Sequence, residues 1–133
     1  MLLELILSQI QAWNQGDLKN FLSYYHEDVK VYSKPVGDLL FDSKAALLPH
    51  IQSDFEAGTV ERVKVVDQIE SKPYVLLLEE KTSDKGSRRA IVTYLVENGK
   101  IKCMWIERVE NNVNRIPKGS VDDISKCAKA LGG

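Results

Sequence analysis

The stretch Arg88-Arg89-Ala90-Ile91-Val92-Thr93-Tyr94-Leu95-Val96-Glu97-Asn98-Gly99-Lys100-Ile101-Lys102-Cys103-Met104-Trp105-Ile106-Glu107-Arg108-Val109 decides the fold. Two apolar runs rich in β-branched and aromatic residues flank Asn98-Gly99, a dipeptide that accepts positive φ at both positions of a tight hairpin turn. Residues 88–97 and 100–109 are therefore predicted to be antiparallel neighbours. Strand-like runs also cover 61–70 and 74–82, and Ser71-Lys72-Pro73 and Ser83-Asp84-Lys85-Gly86 supply the turns between them. The second half of the chain thus reads as a four-stranded meander.

The first half has a helical period. Leu3, Ile6, Leu7, Ile10 and Trp13 recur at spacings of three and four, which predicts an amphipathic helix over 2–14 that ends at Gly16. Asp17 is suited to cap a second short helix with Leu18, Phe21, Leu22 and Tyr25 on its buried face, and His26-Glu27-Asp28 reads as the turn out of it. Val29 to Tyr32 alternates as a strand, and residues 34–38 carry turn chemistry. Ser43 caps a third helix running to about Ala57, in which Pro49 predicts a kink or a late start. After a polar tail, Ser120 and Asp123 resemble a capping box for a last helix carrying Ile124, Cys127, Ala128 and Leu131. Helices, one strand, a helix and then a meander exclude a doubly wound parallel sheet. The fold class is α+β, a curved antiparallel sheet covered on its concave face by the N-terminal helices. Residues 1–110 form the domain, and 111–133 are a polar linker and C-terminal helix packing on that domain or on a dimer partner.

Composition narrows the function. Among 133 residues, 18 basic and 19 acidic side chains leave a net charge of −1 and are interleaved. A nucleic-acid partner is not expected, because neutralising phosphates needs a basic face. No stretch approaches the ~18 apolar residues of a membrane span, and the first residues lack a signal peptide's basic region, so a cytoplasmic protein without a membrane partner is expected. The two cysteines, Cys103 and Cys127, make neither a disulfide framework nor a metal cluster. Cys103 lies in an apolar strand and reads as a buried, inert thiol. No phosphate loop, nucleophile elbow or dinucleotide fingerprint occurs, so neither a cofactor nor a metal is expected.

The segment Ala12-Trp13-Asn14-Gln15-Gly16-Asp17, followed by Phe21, Tyr25 and Glu27-Asp28-Val29, resembles the opening signature of the nuclear-transport-factor-2-like superfamily. Glu97-Asn98-Gly99-Lys100-Ile101 before a last aromatic-bearing strand resembles its other recurrent element. The superfamily's cone-shaped, cystatin-like α+β roll is shared with ketosteroid isomerases and SnoaL-like polyketide cyclases. The resemblance covers residues 1–109. It implies a pocket between the helices and the concave sheet face that takes a small apolar or aromatic molecule. The implied activity is that of a cofactor-independent isomerase, cyclase or hydrolase using acid–base chemistry, and the alternative is a non-catalytic ligand-binding or dimeric interaction domain.

The isomerase chemistry does not carry over. Lys34-Pro35-Val36-Gly37 resembles the isomerases' Asp-Pro-Val-Gly turn, but Lys34 or Ser33 stands where their base does. Gln9 and Val92 stand where their oxyanion-stabilising Tyr and carboxylic acid do. The Asp-Arg-Asp arrangement of epoxide hydrolases with this fold is no easier to place, because Arg88 and Arg89 adjoin a turn.

The remaining candidates are polar groups on apolar faces. Asp67, read with Val63, Val65 and Ile69, and Glu107, read with Ile101, Cys103 and Trp105, are either pocket carboxylates or strand-end residues that reach solvent. His50 on the third helix is either a pocket acid or base, or a boundary residue. These three are the catalytic candidates. Trp13, Tyr25, Tyr32, Phe41, Phe55, Tyr94 and Trp105 are the ligand-binding candidates, each serving equally well as core. Val75, Leu77, Ile91, Thr93, Leu95, Met104 and Ile106 suggest an apolar outer face that a homodimer would cover.

Overall fold

The computed structural model describes residues 2–34, 37–56, 62–117 and 119–120, with side chains of the third helix described as far as Ser53. The predicted C-terminal helix beyond Ser120 lies outside the described residues, as do Cys127 and the side chain of Phe55.

Helix α1 spans Leu2–Asn14. Gly16, at φ 72°, closes it in a Schellman motif: its amide donates to the Trp13 carbonyl and the Asp17 amide to that of Ala12, both at 3.0 Å. Asp17 then caps α2 (Leu18–Ser23), its carboxylate accepting from the Asn20 amide at 3.1 Å. One residue pair thus turns the chain from one helix directly into the next. Strand β1 runs Tyr25–Ser33, so Tyr25 opens a strand rather than closing the helix. The expected turn at His26-Glu27-Asp28 is a bulge: Tyr25 faces Ile101 and Lys30 already faces Cys103 on the neighbouring strand, so the intervening residues loop out of register. A short edge strand β2 (Leu39–Phe41) follows, then α3 (Lys44–Glu56), capped by the Ser43 hydroxyl at 3.1 Å from the Ala46 amide. The helix starts at Lys44, so Pro49 falls in its interior rather than delaying it.

The meander forms as the turn chemistry predicts: β3 (Arg62–Ser71), β4 (Tyr74–Ser83), β5 (Gly86–Glu97) and β6 (Lys100–Val109). Asn98 and Gly99 both sit at positive φ, 54° and 75°. The six strands form an open sheet in the order β2-β1-β6-β5-β4-β3. Every ladder is antiparallel except β1 with β6, which is parallel, so the sheet is mixed. The α+β assignment stands.

Two further bulges decide which side chains face where. In β3, Val65 pairs with Glu79 but Asp67 pairs with Leu78, so Val66 is an extra residue and everything beyond it changes face. In β6, Ile101 pairs with Val96 but Cys103 with Leu95, and Lys102 is the extra residue.

The inner face, under the helices, holds the main core, with Val29, Val75, Leu77 and Ile101 fully buried. Burying a side chain of this size is worth about 1.5–3 kcal/mol each. The Asn14 side chain ties α1 to β3 by bonding both the carbonyl and the amide of Val63 at 2.8 Å. The outer face carries Leu76, Leu78 and Ile91 under Ile116 of the tail, and a second cluster around Tyr32 and Trp105. The tail is fixed by Arg89, which donates to the Val113 carbonyl at 2.6 Å and to Asn114 at 2.8 Å while pairing with Glu80 at 2.8 Å. The outer-face set expected from sequence therefore divides: Ile91, Thr93 and Leu95 belong to it, while Val75, Leu77, Met104 and Ile106 face the helices.

Candidate functional site

Between the helices and the inner sheet face lies a cavity of about 190 Å³. Helix α1 contributes Gln9, Ile10 and Trp13, α2 contributes Phe21, and α3 contributes Leu47, His50 and Ile51. The sheet supplies Tyr25 and Val31 from β1, Met104 and Ile106 from β6, and Val63 from β3. Aromatic rings shape one wall: Phe21 lies 5.0 Å from Trp13 and 5.1 Å from Tyr25, and Phe41 lies 5.4 Å from His50. The remaining lining is polar, namely Glu79 and Lys81 of β4 with Arg88 and Tyr94 of β5.

The buried polar groups form one chain of hydrogen bonds. The Tyr25 hydroxyl donates to Gln9 Oε1 at 2.8 Å, Gln9 Nε2 donates to the Tyr94 hydroxyl at 3.4 Å, and that hydroxyl donates to Glu79 Oε2 at 2.5 Å. Every donor points the same way, so the links polarise one another and end on the carboxylate. Tyr25, Gln9, Tyr94 and Glu79 are each at most 2% exposed. A carboxylate buried among apolar groups is normally avoided. Burial raises the Glu79 carboxyl above its ordinary value, opposed by the Lys81 charge and by the Tyr94 hydrogen bond. Burial also pushes both tyrosines well up, with the Glu79 charge adding to it, so their hydroxyls stay protonated.

Residues 7–104 match the SnoaL-like domain family. The chain belongs to the SnoaL-like domain family. No curated protein matches it. Solved structures similar to this SnoaL-like domain show the same fold. An NTF2-like protein of unknown function from Cytophaga hutchinsonii superposes with a TM-score of 0.69 at 16% identity, over 82% of this chain and 90% of that one. An uncharacterized cystatin-fold protein from Novosphingobium aromaticivorans gives 0.69 at 20% identity, over 78% and 95%. A candidate ketosteroid isomerase from Kribbella flavida gives 0.70 at 15% identity, over 89% and 84%.

The SnoaL-like fold sorts the sequence candidates by face. Trp13, Tyr25, Phe41, His50 and Tyr94 line the cavity. Asp67 and Glu107 are not brought to it. The Val66 bulge turns Asp67 outward, away from Val63 and Val65, and its carboxylate accepts from the Ile116 amide at 2.8 Å. The Lys102 bulge likewise separates Glu107, Trp105 and Cys103 from Ile101, and Glu107 pairs across the outer face with Ile91. Tyr32 and Trp105 stack on that outer face with ring centroids 5.9 Å apart. Cys103 is half-buried beside them, and burial raises its thiol, which keeps it protonated. Among the described residues no group of His, Cys, Asp and Glu is placed to hold a metal ion.

Sequence reasoning missed Glu79, Lys81 and Arg88 as site residues, and it placed Gln9 only by comparison with isomerases. The alternation of β4 carried a usable signal: Val75 and Leu77 face inward, and a period of two takes Glu79 and Lys81 to the same side. Arg88 follows as the cross-strand partner of Lys81.

Proposed function

We propose that this SnoaL-like domain binds a small, largely apolar molecule bearing a carbonyl or hydroxyl oxygen, and that Glu79 and Tyr94 perform proton transfer on it without a cofactor. The observation that carries this reading is the buried Tyr94–Glu79 contact at 2.5 Å on the wall of an otherwise mostly apolar cavity. Two protonation states give two functions. With Glu79 ionised, Tyr94 donates to it, and the carboxylate is the base. Once Glu79 takes a proton, its new O–H donates to the Tyr94 oxygen, and the Tyr94 proton is released to point at a ligand oxygen. A proton removed from the carbon next to a ligand carbonyl would go to Glu79, while Tyr94 stabilises the oxygen on which negative charge develops.

The test is deuterium incorporation. Small cyclic and aryl ketones are incubated with the protein in D2O, and loss of their α-proton signals is followed by NMR. The wild type is expected to accelerate exchange, and Glu79→Gln to lose the acceleration while remaining folded by circular dichroism. Equal exchange rates with both proteins would overturn the catalytic reading. One observation favours non-catalytic binding instead: among the described residues no buried side-chain polar atom lacks a partner, so a ligand oxygen must displace an internal hydrogen bond to reach Tyr94.

A homodimer through the outer sheet face would use the half around Tyr32 and Trp105, since Ile116 and Val113 of the same chain already pack on Leu76, Leu78 and Ile91. We propose a cytoplasmic location, because the two cysteines of the sequence make no disulfide framework. Among the described residues no helix is long and apolar enough to cross a membrane.

A further inference from the structure

We propose that the ligand of this cavity is a small carboxylate whose anionic end is held at the rim by Lys81 and Arg88 and whose apolar body lies inside. The inference rests on the cavity being a ligand site and goes on to assign the ligand's charge.

Lys81 and Arg88 are direct cross-strand partners, and both line the cavity. Like charges placed opposite each other on one sheet face repel. The next rung shows the alternative. One residue along, on the outer face, the same two strands pair Glu80 with Arg89 in a 2.8 Å ion pair. Among direct partners of these two strands, opposite charges meet on the outer face and two cations meet at the cavity, with Glu79 the next inward-facing residue beside Lys81. Nor is the doubling part of a generally basic protein, because the chain carries a net charge of −1.

The position of the pair suits an anion better than a neutral polar group. Arg88 is exposed and Lys81 half-buried, so both cations keep part of their hydration, and a carboxylate between them is not stripped of water. An arginine fork binds the two oxygens of a carboxylate in parallel, and a lysine adds a point charge. Deeper in, the polar wall at Glu79 and Tyr94 is already hydrogen-bonded internally and the rest is largely apolar, which sets the ligand's orientation with its acid group outward. The aromatic wall and the volume of about 190 Å³, below the ~300–1,000 Å³ of drug-sized sites, select a body of one ring or a short branched chain.

The test uses matched pairs of acids and primary amides: 3-phenylpropanoate with 3-phenylpropanamide, and cyclohexanecarboxylate with its amide. Binding is measured by isothermal titration calorimetry and ligand-observed NMR. The acid of each pair is expected to bind about tenfold tighter than the amide, a typical gain for one charge-assisted hydrogen bond. Lys81→Gln and Arg88→Gln should each reduce that preference, and together remove it, with amide affinity changing less than acid affinity. Amides that bind as tightly as acids to the wild type, or an acid preference that survives both substitutions, would overturn the inference and leave the cavity reading standing. Wild-type protein that binds neither member of either pair would overturn both.

Discussion

Replacing Tyr94 by Phe removes one oxygen from the middle of the buried chain, and the structure fixes what that leaves behind. Glu79 Oε2 loses its 2.5 Å donor, and Gln9 Nε2 loses its acceptor. Where Glu79 is ionised, the lost charge-assisted bond is worth about 1.5–3 kcal/mol and the stranded amide about 1 kcal/mol more, for a total of about 2.5–4 kcal/mol. Where Glu79 is protonated, the bond lost is a neutral one worth about 0.5–1.5 kcal/mol, and with the stranded amide the total falls to about 1.5–2.5 kcal/mol. The sign of the pH dependence follows from burial, which raises the folded-state carboxyl above its unfolded value. The stability this group contributes is complete below the unfolded value and is lost as pH rises through the folded one. Tyr94→Phe deepens that loss because it removes a donor that favours the ionised form. Lys81 on the same strand, Arg88 on β5, Tyr25 on β1, Gln9 on α1 and His50 on α3 also line the site. All five are retained in every protein of a double-mutant cycle, which isolates the Tyr94–Glu79 coupling. Urea denaturation of wild type, Tyr94→Phe, Glu79→Gln and the double variant at pH 4 and pH 8 provides the cycle. The Tyr94→Phe loss should be about 1–1.5 kcal/mol larger at pH 8 than at pH 4, and Glu79→Gln should erase that difference. A loss equal at both pH values and indifferent to Glu79→Gln would refute the coupling.

Two further substitutions test the parts that hold the cavity in place. Asp67→Ala removes the acceptor of the Ile116 amide, and should destabilise by about 1–3 kcal/mol and speed amide hydrogen exchange over residues 113–116. Ligand affinity should not change, because Asp67 lies on the outer face; reduced affinity would place the tail in the binding function. Asn14→Ala breaks both bonds between α1 and Val63, and should lower stability by about 1–3 kcal/mol in chemical denaturation, whereas a loss under 0.5 kcal/mol would show that the clasp is dispensable.

The elements were legible in the sequence wherever local chemistry decides them. Gly16-Asp17 ends one helix and starts the next through backbone geometry confined to a few residues, and Asn98-Gly99 sets a hairpin in the same way. The faces of the strands were legible only between irregularities. A period of two extended across β3 puts Asp67 beside Val65, and across β6 puts Glu107 beside Ile101. Each bulge adds one residue without any mark in composition and reverses the face of all that follows. Both carboxylate candidates were displaced in this way, whereas β4 and β5 pair without a bulge, and there the same alternation leads to Glu79, Lys81, Arg88 and Tyr94. The parallel pairing of β1 with β6 had no local signal, because it joins segments some seventy residues apart.

The most direct measurement of the central claim is a crystal structure of the protein soaked with the tightest-binding carboxylate from the paired panel. The account predicts electron density in the cavity, with the carboxylate at Lys81 and Arg88 and the apolar body among Trp13, Phe21 and Tyr94. Density only on the outer sheet face, or a ligand in the cavity with its acid group turned toward Glu79, would contradict it.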